Sequence, residues 1–150
     1  MPTPNPRFLE ALQRSFTNYT PHIKALGVEV ESIAAEASIL RLPFQTHFIG
    51  DVALGRLHTG VITTLVDTAC GLAALARVGR PAAVATLDLR VDYLRSAYAG
   101  QDLFCRACCY RLTSTIAFLR ASVWQETDVI IAESMGAFVI TELPQRKATA

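Results

Sequence analysis

Residues 59–77, with the sequence TGVITTLVDTACGLAALAR, decide which fold this chain can adopt. Apolar residues occupy nearly every face of a helix built from this segment, which is typical of a central buried helix rather than a surface helix. The following Gly79-Arg80-Pro81 ends such a helix. We therefore predict one long helix at about residues 59–77, around which the rest of the domain packs.

Asp67 is the only formally charged residue between Gly60 and Ala76. Removing an ionised carboxylate from water costs several kcal/mol unless another group compensates it. A carboxylate at such a position is therefore a candidate functional residue. The structural alternative is that Asp67 accepts hydrogen bonds from hydroxyls such as those of Thr63 and Thr64.

Length and charge limit the class of protein. A chain of 150 residues is enough for one domain with a core. The net charge of +1 gives no electrostatic case for nucleic-acid binding. No apolar run approaches the roughly 18 uninterrupted residues of a membrane span, and residues 1–6 lack the pattern of a secretory signal. We expect a soluble cytoplasmic protein with no membrane partner.

The four cysteines do not form a pattern that predicts a metal site or a disulfide. Cys105 and Cys108 match the C-x-x-C spacing but fall in a predicted strand, where residues three apart point to opposite faces. The neighbouring Cys109 also diverges from Cys108. We expect no metal, and ordinary free thiols in a reducing cytosol.

Strand-like segments flank the long helix, and a short amphipathic helix at about residues 6–17 precedes them. In the strand that follows the long helix, alternation predicts Thr86 on the face opposite Leu89 and Tyr93. The last four strands are joined by short turns, including Ala99-Gly100-Gln101, which predicts a four-stranded meander. The strands are predicted over residues 26–33, 35–42, 83–95, 102–112, 114–125 and 129–141, with a loop at 43–57 and a polar, disordered tail at 144–150.

This order of elements predicts an α+β fold in which an antiparallel sheet wraps around one long central helix, as a single domain over residues 1–143. The sheet covers only one side of the helix, so an apolar helix face and a sheet edge remain uncovered. A homodimer is the simplest way to cover both.

The start of the long helix is a second candidate site. The backbone N–H groups of Thr59 and Gly60 open the helix without intrahelical acceptors, at the positive end of its dipole, where they can hold a carbonyl oxygen as it becomes an oxyanion. Gly60 also allows a ligand to approach the backbone closely. Asp67 can act as a nucleophile or as a general base on water.

Helix geometry separates these two groups. Thr59 and Asp67 are eight residues apart, or about 12 Å along the helix axis. One carbonyl group cannot contact both, so a shared site requires two subunits with antiparallel helices. Small residues on the side of Asp67, such as Gly71 and Ala74, fit either a channel for a thin substrate or close helix packing.

Three segments resemble those of a known family. Residues 55–62, GRLHTGVI, together with Asp67, resemble the G-x-x-H-G-G-hydrophobic segment and downstream aspartate of hotdog-fold acyl-CoA thioesterases of the phenylacetate-pathway (PaaI-like) type. Residues 86–95, TLDLRVDYLR, resemble the strand that follows in that family, and residues 132–138, AESMGAF, resemble its last strand. The resemblance spans roughly residues 46–140.

The resemblance implies a hotdog fold that hydrolyses acyl-CoA thioesters as a homodimer or homotetramer, with no cofactor other than the coenzyme A of the substrate. It also implies a role for each of six residues. These are Asp67 as the catalytic carboxylate, the Thr59 N–H as the group that polarises the thioester carbonyl, Gly60 as the second glycine, His58 as the residue that orders the turn, Thr86 as a water-positioning hydroxyl and Asp51 near a loop asparagine.

The chain departs from the family pattern at two positions, and these keep alternatives open. Thr59 replaces the first glycine, and Asp51 stands near the position of the asparagine, where it could equally be a turn residue. A non-catalytic acyl-CoA-binding or regulatory protein on the same scaffold is therefore an alternative function. An acyl-CoA dehydratase or hydratase is a third, although His58 is placed to orient the turn rather than to act on a carbon chain.

Overall fold

The structure is a computed structural model that describes residues 5–16, 18 and 20–143. The predicted tail at 144–150, and Thr17 at the predicted end of the first helix, lie outside the described residues. The elements are α1 (Pro6–Ser15), α2 (Pro21–Leu26), β1 (Glu29–Ile33), β2 (Ser38–Leu42), a 3-10 turn (Thr46–Phe48), β3 (Ile49–Asp51), β4 (Arg56–Leu57), α3 (Thr59–Val78), β5 (Ala83–Tyr93), β6 (Leu103–Leu112), β7 (Ile116–Trp124) and β8 (Ile130–Thr141).

The long helix α3 lies at the centre of the core. It packs against five strands, β2 and β5 to β8, and Leu65 and Leu72 on it are fully buried. Gly79 ends it with a φ of 71°, the left-handed conformation that glycine adopts without strain. Within the described part of the chain, α3 is also long and apolar enough to cross a membrane. Its packing on the sheet shows instead that it is the core helix, as its composition predicts.

The main sheet is antiparallel and six-stranded, in the order β1-β2-β6-β7-β8-β5. Strands β6, β7 and β8 are joined as neighbours, as predicted. The predicted four-stranded meander is wrong, because β5 pairs with β8 at the sheet edge and is separated from β6 by two strands. Ala99-Gly100-Gln101 is thus part of a crossover and not a hairpin turn. Alternation along a strand identifies its faces but does not identify its neighbour.

A β-bulge in β5 changes which side chains face α3. The register with β8 shifts between Thr86 and Asp88, so Leu87 is an extra residue and 58% exposed. Because the alternation changes phase at the bulge, Thr86 and Tyr93 lie on the same face, and both hydroxyls form hydrogen bonds to side chains of α3. The predicted separation of these two residues onto opposite faces is therefore wrong.

The helix α2 lies where no element was predicted, except at Leu26, the first residue of a predicted strand. The strand predicted over 26–33 begins only at Glu29. Before it, Thr20 is the N-cap, Pro21 occupies the first helical position, and Gly27 ends α2 with a φ of 72°. Proline at the start and glycine just past the end are the usual asymmetry of a helix. The predicted loop at 43–57 contains the 3-10 turn and the small β3–β4 hairpin.

Gly136 on β8 allows the bulged strand to pair closely. A Cβ atom at this position would lie 2.9 Å from the backbone oxygen of Asp88 and 3.0 Å from Leu89 Cδ1. We predict that Gly136→Ala lowers the free energy of unfolding by about 1–3 kcal/mol, as overpacking does. Urea denaturation at fixed protein concentration measures the change. The exposed neighbour Met135 provides the control, since Met135→Ala should change stability little; equal effects would contradict the assigned clash.

Candidate active site

Asp67 is half-buried on α3 and is held by a side chain from the sheet. The Thr86 hydroxyl donates a hydrogen bond to Asp67 Oδ1 at 2.6 Å. The hydroxyls proposed as structural partners are used elsewhere. Thr64 donates to the Gly60 carbonyl at 2.9 Å, and Thr63 lies 2.6 Å from the Tyr93 hydroxyl. The structure therefore brings together two of the six predicted site residues, Asp67 and Thr86, and leaves Asp67 Oδ2 with no hydrogen-bond donor among the described residues.

Asp67 opens into a cavity of about 360 Å³, which we call the carboxylate cavity. Among the described lining residues, His22 is the one ionisable side chain besides Asp67, and most of the wall is apolar. The remaining lining residues are Phe16, Thr20, Ile23, Thr68, Gly71, Leu75, Val84, Thr86 and Phe138. A carboxylate and a hydroxyl in a largely apolar cavity can act on a carbonyl group attached to an apolar chain.

His22 also lines this cavity, although no sequence pattern selected it. It lies on α2, and α2 together with the end of α1 forms the wall opposite the long helix. Recognition of Thr20-Pro21 as the start of a helix, rather than only as the end of α1, would have brought His22 toward the core helix. The side chain of His22 is exposed in the single chain.

The entry to α3 is ordered by His58. As the N-cap residue, it accepts the Gly60 N–H at Nδ1 over 3.0 Å, and its own N–H donates to the Phe48 carbonyl at 2.8 Å. A Cβ at Gly60 would lie 2.9 Å from His58 Nδ1, so glycine is required for this cap. The Gly60 N–H is therefore occupied. The N–H of Thr59 has no hydrogen-bond acceptor among the described residues.

Thr59 faces a second cavity of about 420 Å³, which we call the entry cavity. Two arginines line it and no carboxylate does. Its walls are Arg56, Leu57, Thr59, Ile62, Tyr93, Leu94, Arg95, Ser96 and Ala97. The two cavities share no lining residue, which agrees with the separation of about 12 Å that eight residues impose along one helix.

Asp51 lines neither cavity. It lies in the β3–β4 hairpin, where its Oδ1 accepts the Leu54 N–H at 3.1 Å. This contact is the local turn bond that aspartate commonly forms. Within one chain, the structure therefore separates Asp51 from the Asp67–Thr86 pair and shows it in a turn.

The cysteines offer no nucleophile at the carboxylate cavity. Cys70, one turn from Asp67, is fully buried, and burial together with the nearby carboxylate raises its pKa to about 12. Burial also raises the pKa of the Cys105 thiol. A thiol with a raised pKa carries little thiolate at neutral pH and is inert. The described residues contain no cluster of three side chains suited to hold a metal ion.

Comparison with known proteins agrees with this architecture. Residues 54–132 match the sequence model of the Thioesterase superfamily. A Halobacterium salinarum protein that is named as an esterase is 36% identical over 129 residues, which are 82% of each chain. The Escherichia coli protein named medium/long-chain acyl-CoA thioesterase YigI is 27% identical over 145 residues, 88% of this chain and 93% of its own.

Solved structures show the same fold. A Pseudomonas aeruginosa protein superposes with a TM-score of 0.77 at 36% identity, over 88% of this chain and 98% of that one. The Escherichia coli PaaI protein of the phenylacetic acid degradation operon gives a TM-score of 0.78 at 16% identity, over 92% and 95% of the two chains, which demonstrates the shared fold alone. This chain therefore belongs to the thioesterase superfamily, and is a thioesterase with the hotdog fold.

Proposed function

We propose that this protein hydrolyses acyl-CoA thioesters as a homodimer, or as a pair of such dimers. Asp67 attacks the acyl carbon or activates the water that does so, and the Thr59 N–H of the partner subunit holds the carbonyl oxygen. The observation that carries the proposal is the Asp67–Thr86 hydrogen bond of 2.6 Å in a cavity with mostly apolar walls. The YigI relative, named for acyl-CoA, supports this substrate class.

The Thr86 hydroxyl fixes the direction of the carboxylate. Because it donates to Asp67 Oδ1, the other carboxylate oxygen, Oδ2, remains available for chemistry. As a base, Oδ2 accepts a proton from water while the water oxygen bonds to the acyl carbon. The C–S bond then breaks, the thiolate of coenzyme A leaves and takes up a proton, and the free acid remains. As a nucleophile, Oδ2 itself bonds to the acyl carbon, and water later cleaves the resulting anhydride.

The requirement for two subunits follows from the two separate cavities. A second chain can place its Thr59 N–H beside the carboxylate cavity, whereas Thr59 of the same chain opens into the other one. A two-fold axis would make both sites equivalent. The edge strand β5 offers unpaired backbone groups for this contact, and Leu87, Tyr93 and Leu94 beside them are 58%, 44% and 54% exposed.

Charge favours the entry cavity as the side on which coenzyme A binds. Arg56 and Arg95 line it, and no carboxylate shares its walls. Arg95 donates to the Ile130 carbonyl at 2.7 Å, which fixes its position without neutralising its charge. Phosphate groups are attracted to such sites. The chemistry assigned here uses no metal or bound cofactor, and the four free thiols are consistent with the predicted cytoplasmic location.

The role of Asp67 is tested with Asp67→Asn, which keeps an acceptor for Thr86 but removes the charge. We expect kcat/KM to fall by about 10²–10⁴, the usual contribution of general acid–base catalysis. Thiol release from butyryl-, octanoyl-, palmitoyl- and phenylacetyl-CoA provides the measurement. Thr86→Ala should reduce activity less than Asp67→Asn, and Thr86→Ser should restore it. Unchanged turnover of Asp67→Asn on the best substrate would refute the assigned role.

The oxyanion role of Thr59 is tested by removing its N–H alone. Thr59→Pro does this at the first helical position, where proline is tolerated, and His58 before it already has the extended conformation that proline requires, with a ψ of 131°. We expect kcat to fall by about 10²–10³, as when one oxyanion donor is lost. The matched control Thr59→Ala keeps the N–H and should keep activity. Equal losses in both variants would contradict the role of the N–H.

Subunit complementation tests whether the site is shared. When Asp67→Asn and Thr59→Pro chains are refolded together, half of the dimers are mixed. Each mixed dimer regains one intact site, so activity should return to about a quarter of the wild-type value if dimers have two equivalent sites. If Asp67 and Thr59 of one chain served the same site, both chains would stay inactive and no activity would return.

A further inference from the structure

We propose that a third cavity, beneath α1, binds the distal part of a fatty acyl chain and so extends the active site to long substrates. This inference rests on the proposed thioesterase function. The cavity has a volume of about 610 Å³, and we call it the tail cavity. Its walls come from α1, the end of α3 and the segment before β5. They consist of Phe8, Leu12, Ser15, Phe16, Thr20, Leu75, Pro81, Ala82 and Leu143.

The tail cavity adjoins the carboxylate cavity. Phe16, Thr20 and Leu75 line both, so these three residues form the partition between the two spaces. Phe16 is the C-cap of α1, and Thr20 is the N-cap of α2, so the partition lies where the two short helices meet above α3. In this direction the tail cavity therefore lies directly behind the carboxylate cavity, across the side chains of the partition.

The path between the two cavities has a definite length. Asp67, Gly71 and Leu75 lie on successive turns of α3, and the eight residues from Asp67 to Leu75 span about 12 Å. An extended chain advances about 1.2 Å per bond, since three backbone bonds span about 3.6 Å. Roughly ten bonds therefore reach from the carboxylate to the partition. Shorter acyl chains end in the carboxylate cavity, whereas longer ones need the tail cavity.

The chemistry of the walls identifies the occupant as hydrocarbon. No charged or amide side chain of the described residues lines the tail cavity, and the polar residues among its described walls are Ser15 and Thr20. The Ser15 hydroxyl already donates to the Ala11 carbonyl at 2.7 Å. The pantetheine arm of coenzyme A carries two amides, which would lose hydrogen bonds to water in such a space. A fatty acyl tail loses none and gains burial of apolar surface.

Two variants at different depths test the proposal. A Cβ at Gly71 would meet no atom within 4 Å, so Gly71→Leu places its side chain in open cavity space, about 6 Å from Asp67. We expect it to lower kcat/KM for octanoyl-CoA and longer chains at least about tenfold more than for butyryl-CoA. Leu12→Trp fills the tail cavity instead. It should spare both butyryl- and octanoyl-CoA and lower kcat/KM for palmitoyl-CoA by a similar factor.

Matched controls separate cavity filling from general damage. Gln13→Trp makes the same substitution on the exposed neighbour of Leu12, outside the cavity walls, and should leave the chain-length profile unchanged. Ala82→Leu fills the tail cavity from the opposite wall and should reproduce the profile of Leu12→Trp, even if one of the two variants folds poorly.

The outcomes distinguish this proposal from the proposed function. If the wild-type protein releases no thiol from any acyl-CoA, the proposed function fails. If it is active but Leu12→Trp and Ala82→Leu lower turnover of butyryl- and palmitoyl-CoA equally, the tail cavity is not an acyl site and the function stands. The same conclusion follows if neither variant affects palmitoyl-CoA. Loss confined to palmitoyl-CoA supports the proposal.

Discussion

The hydrogen bond from Thr86 to Asp67 is the contact on which the site depends. It crosses from the edge strand β5 to the middle of the core helix and measures 2.6 Å. A half-buried carboxylate with no such partner would lose hydration without compensation. The bulge at Leu87 makes the contact possible, because it shifts the register with β8 by one residue and so places Thr86 on the face of β5 that packs against α3. The sheet edge, the bulge and the geometry of the candidate site thus form one arrangement.

The sequence predicted those parts of this arrangement that depend on residues close together along the chain. The core helix was identified because apolar residues occupy nearly every face of residues 59–77. Asp67 was identified because it is the only charged residue between Gly60 and Ala76. The distance between Thr59 and Asp67 could be calculated from the rise per residue of a helix alone. The structure places the two residues in different cavities. The fold class followed from a resemblance carried by the helix entry and two strands, and the family match confirms it.

The parts that the sequence did not predict depend on contacts distant along the chain. Strand alternation cannot reveal that β5 pairs with β8, or that an extra residue reverses its faces, since a bulge is defined only by the partner strand. The Gly60 N–H was predicted to be available to a ligand, but His58 Nδ1 accepts it, because such a cap depends on a side-chain orientation that the sequence does not show. The helix α2 was missed because its six residues are too few to show a helical repeat of apolar positions.

The dipole of α3 gives a physical reason for the direction in which a substrate lies. Peptide dipoles make the N-terminus of a helix positive and its C-terminus negative, so a developing oxyanion is stabilised only at an N-terminus. The acyl tail is uncharged and interacts little with either end. The proposed tail cavity lies beside Leu75 and Ala82, near the C-terminus of α3, where the helix dipole does not stabilise an oxyanion. In the proposed dimer, the helix of one subunit therefore provides the apolar path, and the helix of its partner provides the positive terminus, so each acyl-CoA can bind productively in one direction only.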